Sequence, residues 1–423
     1  MHRRNFLATG AAASLGGLLP RFMADLQDGP ANAASSSPER LKPVHETDGF
    51  KEFHLYVDLV QQEIVPGVTV HTLAFNGTVP GPEIRVNYGD KVRVHFENRT
   101  GLNHTIHWHG LHVPWRMDGV PYVTQLPVMP DQTFTYEFEA KPYGTHMYHC
   151  HWGTMLHMQA GMYGSIIVEP REGETDPIQE QFPYEREYTF IYSSHDTNFV
   201  REELNIMLER MKERRYLMKN GRFTRERFGL FADVDDLRAS MEEGYLPPYS
   251  IRRRTSAELP DPNFFTINGK SYPDTPRLFI KEGENIRVRL INAGASIHSL
   301  HLHGTDFWEV ANDGYPLASP LRMNTIMLPP GKTHDIIIPG DNPGIWSFHD
   351  HDTRRATNNG LYPGGTLTAL IYEDLPDSER LAMPAMDHSM MDHANMQMDM
   401  DMNSDMNMDM DGLTKLPFIS LDQ

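Results

Sequence analysis

His149, Cys150 and His151 occupy consecutive positions with His157 and Met162 close behind, and Cys150 is the single cysteine of a 423-residue chain. A lone cysteine forms no intramolecular disulfide, so this thiol is reactive, a metal ligand or a buried filler. Neighbouring side chains of an extended strand point to opposite faces. His149 and His151 therefore share one face and Cys150 takes the other. A metal on the thiolate side would be linked to metals on the imidazole side through a few covalent bonds, a short route for electrons. His104, from the Asn103-His104 turn, joins Cys150, His157 and Met162 to make two imidazoles, a thiolate and a thioether, the donor set of a blue-copper electron-transfer site.

The imidazole face has further partners. Four His-x-His pairs recur in the chain: His107/His109, His149/His151, His301/His303 and His349/His351. Each puts two rings on one face of a strand. Eight imidazoles suffice to hold three coppers as three, three and two, and imidazole suits copper in softness.

These pairs fall within a repeat. The first copy runs from Phe75 to Gly110 and the second from Ile267 to Gly304. Asn76-Gly77 matches Asn268-Gly269, and Gly89-Asp90 matches Gly283-Glu284. His104, His107 and His109 match His298, His301 and His303, and Asp118-Gly119 matches Asp313-Gly314. His149-Cys150-His151 matches His349-Asp350-His351. The offset drifts from 192 residues at Asn76 to 200 at His149. Within each copy apolar and polar residues alternate, as in Lys91-Val92-Arg93-Val94-His95-Phe96, the period of half-buried strands. The pattern predicts an all-β chain of two Greek-key sandwiches, residues 50–170 and 183–373.

Three segments fall outside the repeat. Arg3 and Arg4 before a weakly apolar Ala/Gly stretch resemble a twin-arginine export signal over residues 1–34, with a cleavage site near Ala31-Asn32-Ala33. This predicts a periplasmic location. Residues 196–260 read as a helical insertion, with opposed charges at i,i+4 spacing, serving as a lid, an oligomer contact or a solvated excursion. Met383–Met410 carries 11 Met, 6 Asp and 2 His. Without β-branched or aromatic residues it has nothing with which to build a core, and its thioethers are soft donors that select Cu(I). The net charge of −19 argues against nucleic acid, which needs a basic face. No apolar run approaches the roughly 18 residues of a membrane span.

His-x-x-His-x-His-Gly, with His-Cys-His and a following His-x4-Met, resembles the multicopper oxidases across both repeats. The cysteine lies in the first domain and Asp350 takes its place in the second, as in two-domain members with type 1 copper in domain 1. The resemblance implies two cupredoxin domains and about four coppers per chain. It implies a homotrimer with each trinuclear cluster between a domain 1 and a domain 2 of different subunits. His104, Cys150, His157 and Met162 match the type 1 ligands. His107 and His301 match the type 2 ligands, and His109, His149, His151, His303, His349 and His351 the type 3 ligands. Asp118 matches an acidic site near the cluster and is assigned proton supply, with Cys150 relaying electrons.

There are departures. The Cys150-to-His157 spacing exceeds the usual signature, so residues 152–156 are expected to bulge. Gly153 stands where family members often have an acid, and Asp350 or Asp352 is the candidate substitute. His298 reads as a vestigial type 1 ligand, a satisfied surface or interface histidine. His95, His112 and His146 read as structural. The implied activity is one-electron oxidation of Cu(I) or phenols coupled to four-electron reduction of dioxygen to water, in copper tolerance. The rivals are a copper nitrite reductase, whose catalytic copper needs only three histidines, and a non-enzymatic copper buffer.

Overall fold

The computed structural model describes residues 36–376 apart from positions 48, 203, 206–215, 217–218 and 221–259. The expected leader, most of the insertion and the Met/His/Asp tail lie outside the described residues. Among the described residues no helix is long and apolar enough to cross a membrane.

Alternation sets the strands. Along Lys91–Asn98, Val92, Val94, Phe96 and Asn98 are buried, while the intervening side chains face outward. The first nine strands are β1 (His45–Thr47), β2 (Phe50–Val65), β3 (Val68–Phe75), β4 (Gly81–Asn87), β5 (Lys91–Asn98), β6 (Ile106–His109), β7 (Thr133–Glu139), β8 (Gly144–Cys150) and β9 (Tyr163–Glu169). They form two sheets, ordered β1-β2-β5-β7 with β3 also on β2, and β4-β9-β8-β6. Phe53, Leu55, Val94 and Phe96 of one sheet share a buried cluster with Ile84, Ile106, Trp108 and Ile166 of the other. Each such side chain removed from water contributes about 1.5–3 kcal/mol.

The second set is β10 (Arg186–His195), β11 (Phe264–Ile267), β12 (Leu278–Ile280), β13 (Asn285–Asn292), β14 (His298–Leu302), β15 (Phe307–Asn312), β16 (Tyr315–Met323), β17 (Thr325–Leu328), β18 (Thr333–Pro339), β19 (Ile345–Asp350) and β20 (Thr368–Tyr372). Its sheets run β11-β10-β13-β18-β15-β16 and β12-β20-β19-β14-β17. The parallel pairings β2 with β5 and β4 with β9 recur as β10 with β13 and β12 with β20. Both sandwiches therefore follow one Greek-key path, as expected of a duplicated cupredoxin-like fold.

Buried charges join the sandwiches. Arg287 and Arg289 of β13 are fully buried. Arg289 donates to Thr145 Oγ1 at 2.7 Å, and Thr145 donates to Asp335 at 2.7 Å. Arg287 bonds Asp176 and Asp335, and Arg85 of β4 pairs with Glu187 of β10. Removing one member of such a set costs roughly 3–5 kcal/mol, because its partner stays buried and uncompensated. Through Thr145, the strand that carries His149 and Cys150 is anchored to the second sandwich.

Candidate metal centres

Strand register brings the chemistry-bearing residues together. His107 of β6 lies opposite His149 of β8, and Ile106 opposite Cys150. Cys150 faces the apolar interior. Beyond it the chain turns at Gly153 (φ 54°) and forms α1 (Thr154–Gln159). The expected bulge is therefore a helical turn, with the Leu156 and His157 N–H groups donating to the Gly153 carbonyl at 2.9 and 3.0 Å. This turn absorbs the long spacing and folds His157 back over Cys150.

His104 Nδ1, His157 Nδ1 and Cys150 Sγ face one another. The nitrogens are 3.2 Å apart and lie 3.6 and 3.1 Å from the sulfur. A triangle with such sides has its centre about 2 Å from each corner, the range of imidazole and thiolate bonds to a metal ion. All three residues are fully buried, as is Met162. The Cys150 N–H donates to the Met162 carbonyl at 3.1 Å, and the Met162 N–H donates to the His157 carbonyl at 2.9 Å.

Burial holds His104 well below the usual histidine range, with the His157 ring adding to the effect. It pushes His157 down to about 3 and the Cys150 thiol up to about 12. Two neutral imidazoles thus flank a thiol that gives up its proton readily only to a cation. That donor set fits copper.

On the other face of β8, His107, His109 and His149 bring ligand atoms within 4.8 Å of one another. His151 joins them, with its ring 5.5 Å from that of His107 and 6.0 Å from that of His149. The second sandwich repeats the arrangement. His301 of β14 lies opposite His349 of β19, His349 and His351 stack at 6.0 Å, and His303 Nε2 lies 3.0 Å from His349 Nε2.

Backbone carbonyls, which only accept, tie down one nitrogen of several rings. Nδ1–H of His107, His149, His301 and His349 donates to the carbonyls of Asp118, Cys150, Asn324 and Asp350 at 2.8–3.0 Å. The lone pair of each ring is then on Nε2, that of His349 facing His303 Nε2, the pattern by which outer hydrogen bonds orient metal-binding histidines. Burial, opposed by the Cys150 carbonyl and helped by neighbouring rings, pushes His149 down to about 3. Among the described residues no hydrogen bond or ring contact joins the two histidine quartets within one chain. The donor chemistry of both quartets fits copper.

Asp118 sits beside the first quartet, its Oδ1 3.3 Å from His107 Nδ1. Gly119 makes this approach possible. Its φ is 78°, and a Cβ there would lie 1.9 Å from the Ile106 carbonyl oxygen.

Two expectations need correction. His298 is neither at the surface nor at an interface. It is fully buried, with Nδ1 2.7 Å from Asp350 Oδ2. Asp350 points into the interior of the second sandwich, away from the histidine face, because it occupies the alternate position of β19. It does not substitute for the missing acid. The Asp352 carboxylate is likewise engaged, by the Arg354 N–H and by Arg355.

His146 and His95 have structural partners, the Pro142 carbonyl and Glu52, while His112 is exposed. Residues 197–202 are helical, and Val200 and Leu204 belong to the same buried cluster as Leu156 and Met162. The insertion thus begins by covering the cysteine side. Sequence reasoning passed over this contact, and also Thr100, whose hydroxyl lies 2.6 Å from His104 Nε2. The repeat alignment held a signal for Thr100, since Gly294 stands at the matching position.

Two Greek-key sandwiches, one enclosing a Cys/His/His/Met site backed by outward histidine pairs, define a cupredoxin-type copper protein. The multicopper oxidase family profiles match residues 58–173 and 245–362. A blue copper oxidase from Nitrosomonas europaea is 33% identical with a TM-score of 0.61, over 77% of this chain and 88% of that one. The multicopper oxidase mgLAC is 32% identical with a TM-score of 0.61, over 77% and 87%. Copper resistance protein A of Escherichia coli is 29% identical over 335 residues, 76% of this chain and 53% of that protein. The chain thus spans about half the length of that relative. It belongs to the multicopper oxidase family, whose cofactor is copper.

Proposed function

We propose that this chain is an oxidase that couples one-electron oxidation of a reductant, Cu(I) or a phenol, to four-electron reduction of dioxygen to water. The observation that carries the reading is the alternation at β8: Cys150 faces a buried mononuclear site while His149 and His151 face the histidine quartet. His104, Cys150, His157 and Met162 hold the type 1 copper. His107 and His301 hold the type 2 copper. His109, His149, His151, His303, His349 and His351 hold the type 3 pair. When bound, copper would supply one-electron exchange at the first site and dioxygen reduction at the cluster.

The residues of the chain do the rest. Cys150 and its two covalently adjacent histidines link the sites. The carbonyl-bound Nδ1 atoms keep the imidazoles aimed. Asp118, beside His107, is assigned proton supply to the cluster. Among the described residues no hydrogen bond or ring contact joins the two quartets of one chain, which supports a homotrimer of two-domain subunits, corresponding to residues 50–170 and 183–373, with each cluster completed by a neighbour.

The similarity to copper resistance protein A and the Met383–Met410 thioethers favour Cu(I) as donor and a role in copper tolerance. Arg3-Arg4 and the stretch after it favour twin-arginine export to the periplasm.

The test is copper content and oxygen uptake of the copper-loaded chain, first with Cu(I) and then with a phenol. The reading expects about four coppers per chain and oxygen consumption, faster with Cu(I). About two coppers per chain, with nitrite turnover and no oxygen uptake, would contradict it.

A further inference from the structure

The hydrogen bonds behind His104 determine where its ring proton resides. Asn98 is fully buried, and its Nδ2 donates to the carbonyls of Leu102 and Val128 at 2.6 and 2.9 Å. Two acceptors on that atom fix the amide, so Oδ1 is the atom facing Thr100. Oδ1 accepts the Thr100 N–H at 2.9 Å and lies 2.9 Å from Thr100 Oγ1. A threonine hydroxyl has one proton. Its alternative acceptor, the Leu102 carbonyl, is 3.4 Å away, beyond the ordinary range for O–H donors. The remaining acceptors are Asn98 Oδ1 and His104 Nε2, the latter 2.6 Å from Oγ1. When Asn98 takes the proton, Thr100 Oγ1 presents only lone pairs to Nε2, and Nε2 donates. That leaves the lone pair on Nδ1, the atom facing Cys150 and His157.

The second sandwich supplies an internal comparison. Asn292 matches Asn98, with its Nδ2 on the carbonyls of Ser296 and Leu328 and its Oδ1 accepting the Gly294 N–H. Gly294 stands where the first sandwich has Thr100. A Cβ there would lie 2.9 Å from Ser194 N and 3.0 Å from Ser193 Cα, so the β10 backbone fills the space of a side chain. His298 Nε2 is buried without a partner, and Nδ1 is the atom turned to the Asp350 carboxylate. The matching imidazole thus carries its proton on the opposite nitrogen.

We propose that Thr100 is a positioning residue for the mononuclear site: it holds the Nε2–H tautomer of His104, which keeps Nδ1 free to bind copper. The inference rests on the assignment of His104 as a type 1 ligand. Loss of such an outer hydrogen bond weakens metal binding by about 10–100-fold.

The test compares wild type, Thr100→Val and Thr100→Ser as copper-loaded full-length chains. It reads the thiolate-to-copper absorption band, the type 1 reduction potential, copper retention against a chelator, and the melting of the copper-free proteins. The valine variant is expected to lose type 1 copper at least about tenfold more readily, with a shifted potential and unchanged cluster copper. Serine, which keeps the hydroxyl, is expected to restore the wild-type band and potential. A valine variant matching wild type in band, potential and retention would overturn the proposal. So would a serine variant that fails as valine does while both copper-free proteins melt early, since that is a folding role. A wild-type chain with no thiolate-to-copper band would overturn the site assignment itself, and this inference with it.

Discussion

The strand that carries His149 and His151 sends a thiol into the first sandwich, whereas its counterpart carrying His349 and His351 sends a carboxylate into the second. Around Cys150 two imidazole nitrogens converge on the sulfur (3.1 Å to His157 Nδ1, 3.6 Å to His104 Nδ1), with the Trp152 carbonyl 3.5 Å from it. Around Asp350 the carboxylate finds its donors within the fold. The carboxylate accepts from His298 Nδ1–H at 2.7 Å and from the Ser299 and Asp352 N–H groups at 3.1 and 2.9 Å. A buried polar site is stable when its donors find acceptors. The Asp350 carboxylate closes that account internally, whereas the ligand atoms around Cys150 are spaced to share a cation. Meanwhile the outward histidine faces are nearly superimposable in plan: His149 and His151 stack at 6.0 Å and 25°, His349 and His351 at 6.0 Å and 24°. One duplicated frame thus keeps a histidine quartet in both sandwiches and the Cys/His/His set in only one.

The largest expected effects come from breaking each half in turn. Cys150→Ser should abolish the thiolate-to-copper band and reduce oxygen uptake to background, with cluster copper retained by elemental analysis. Replacing both His301 and His303 by alanine should do the reverse. About three of four coppers are lost and oxygen uptake ceases, while the absorption band of the first sandwich persists.

Asp350→Ala removes the acceptor for three N–H groups, one of them on the fully buried His298. A loss of about 4 kcal/mol in urea unfolding is expected, against little change in the Cys150 band. Asp350→Cys sharpens the comparison further. It should give no such band, because positions seven and twelve residues later hold Thr357 and Tyr362 in place of a histidine and a methionine.

The smallest effect concerns the joint between the sandwiches. Burial alone would raise the Glu187 carboxyl, but Arg289 and Arg85 pull it down to about 2. A carboxyl depressed below its ordinary value stabilises the fold above the unfolded value near 4.5, and that contribution is lost as pH falls toward 2. Glu187→Gln should therefore cost about 3 kcal/mol at neutral pH. It should also flatten the fall in stability between pH 4.5 and 2, measured by urea titration across that range.

Much of this was legible in the chain because strand alternation is local. His107 and His109, or His149 and Cys150, declare their faces by position alone, and the repeat shows that the pattern is deliberate. What escaped depends on contacts between residues distant in sequence. The His298–Asp350 pair joins residues 52 apart, so a histidine read as a surface or interface group is buried in the core against a carboxylate. The α1 turn that returns His157 to Cys150 depends on Gly153 and tertiary packing, not on the spacing itself. Alternation alone would turn Arg287 and Arg289 of β13 outward. They are buried because β13 is covered on that side by the first sandwich, through Thr145, and by Asp335.

The most direct test of the account is anomalous diffraction at the copper edge from crystals of the copper-loaded chain. The account predicts one copper per chain among His104, Cys150 and His157, none between His298 and Asp350, and a three-copper cluster where the quartet of one chain meets that of its neighbour. Copper bound at Asp350, or quartets that each bind metal alone without facing one another, would contradict it.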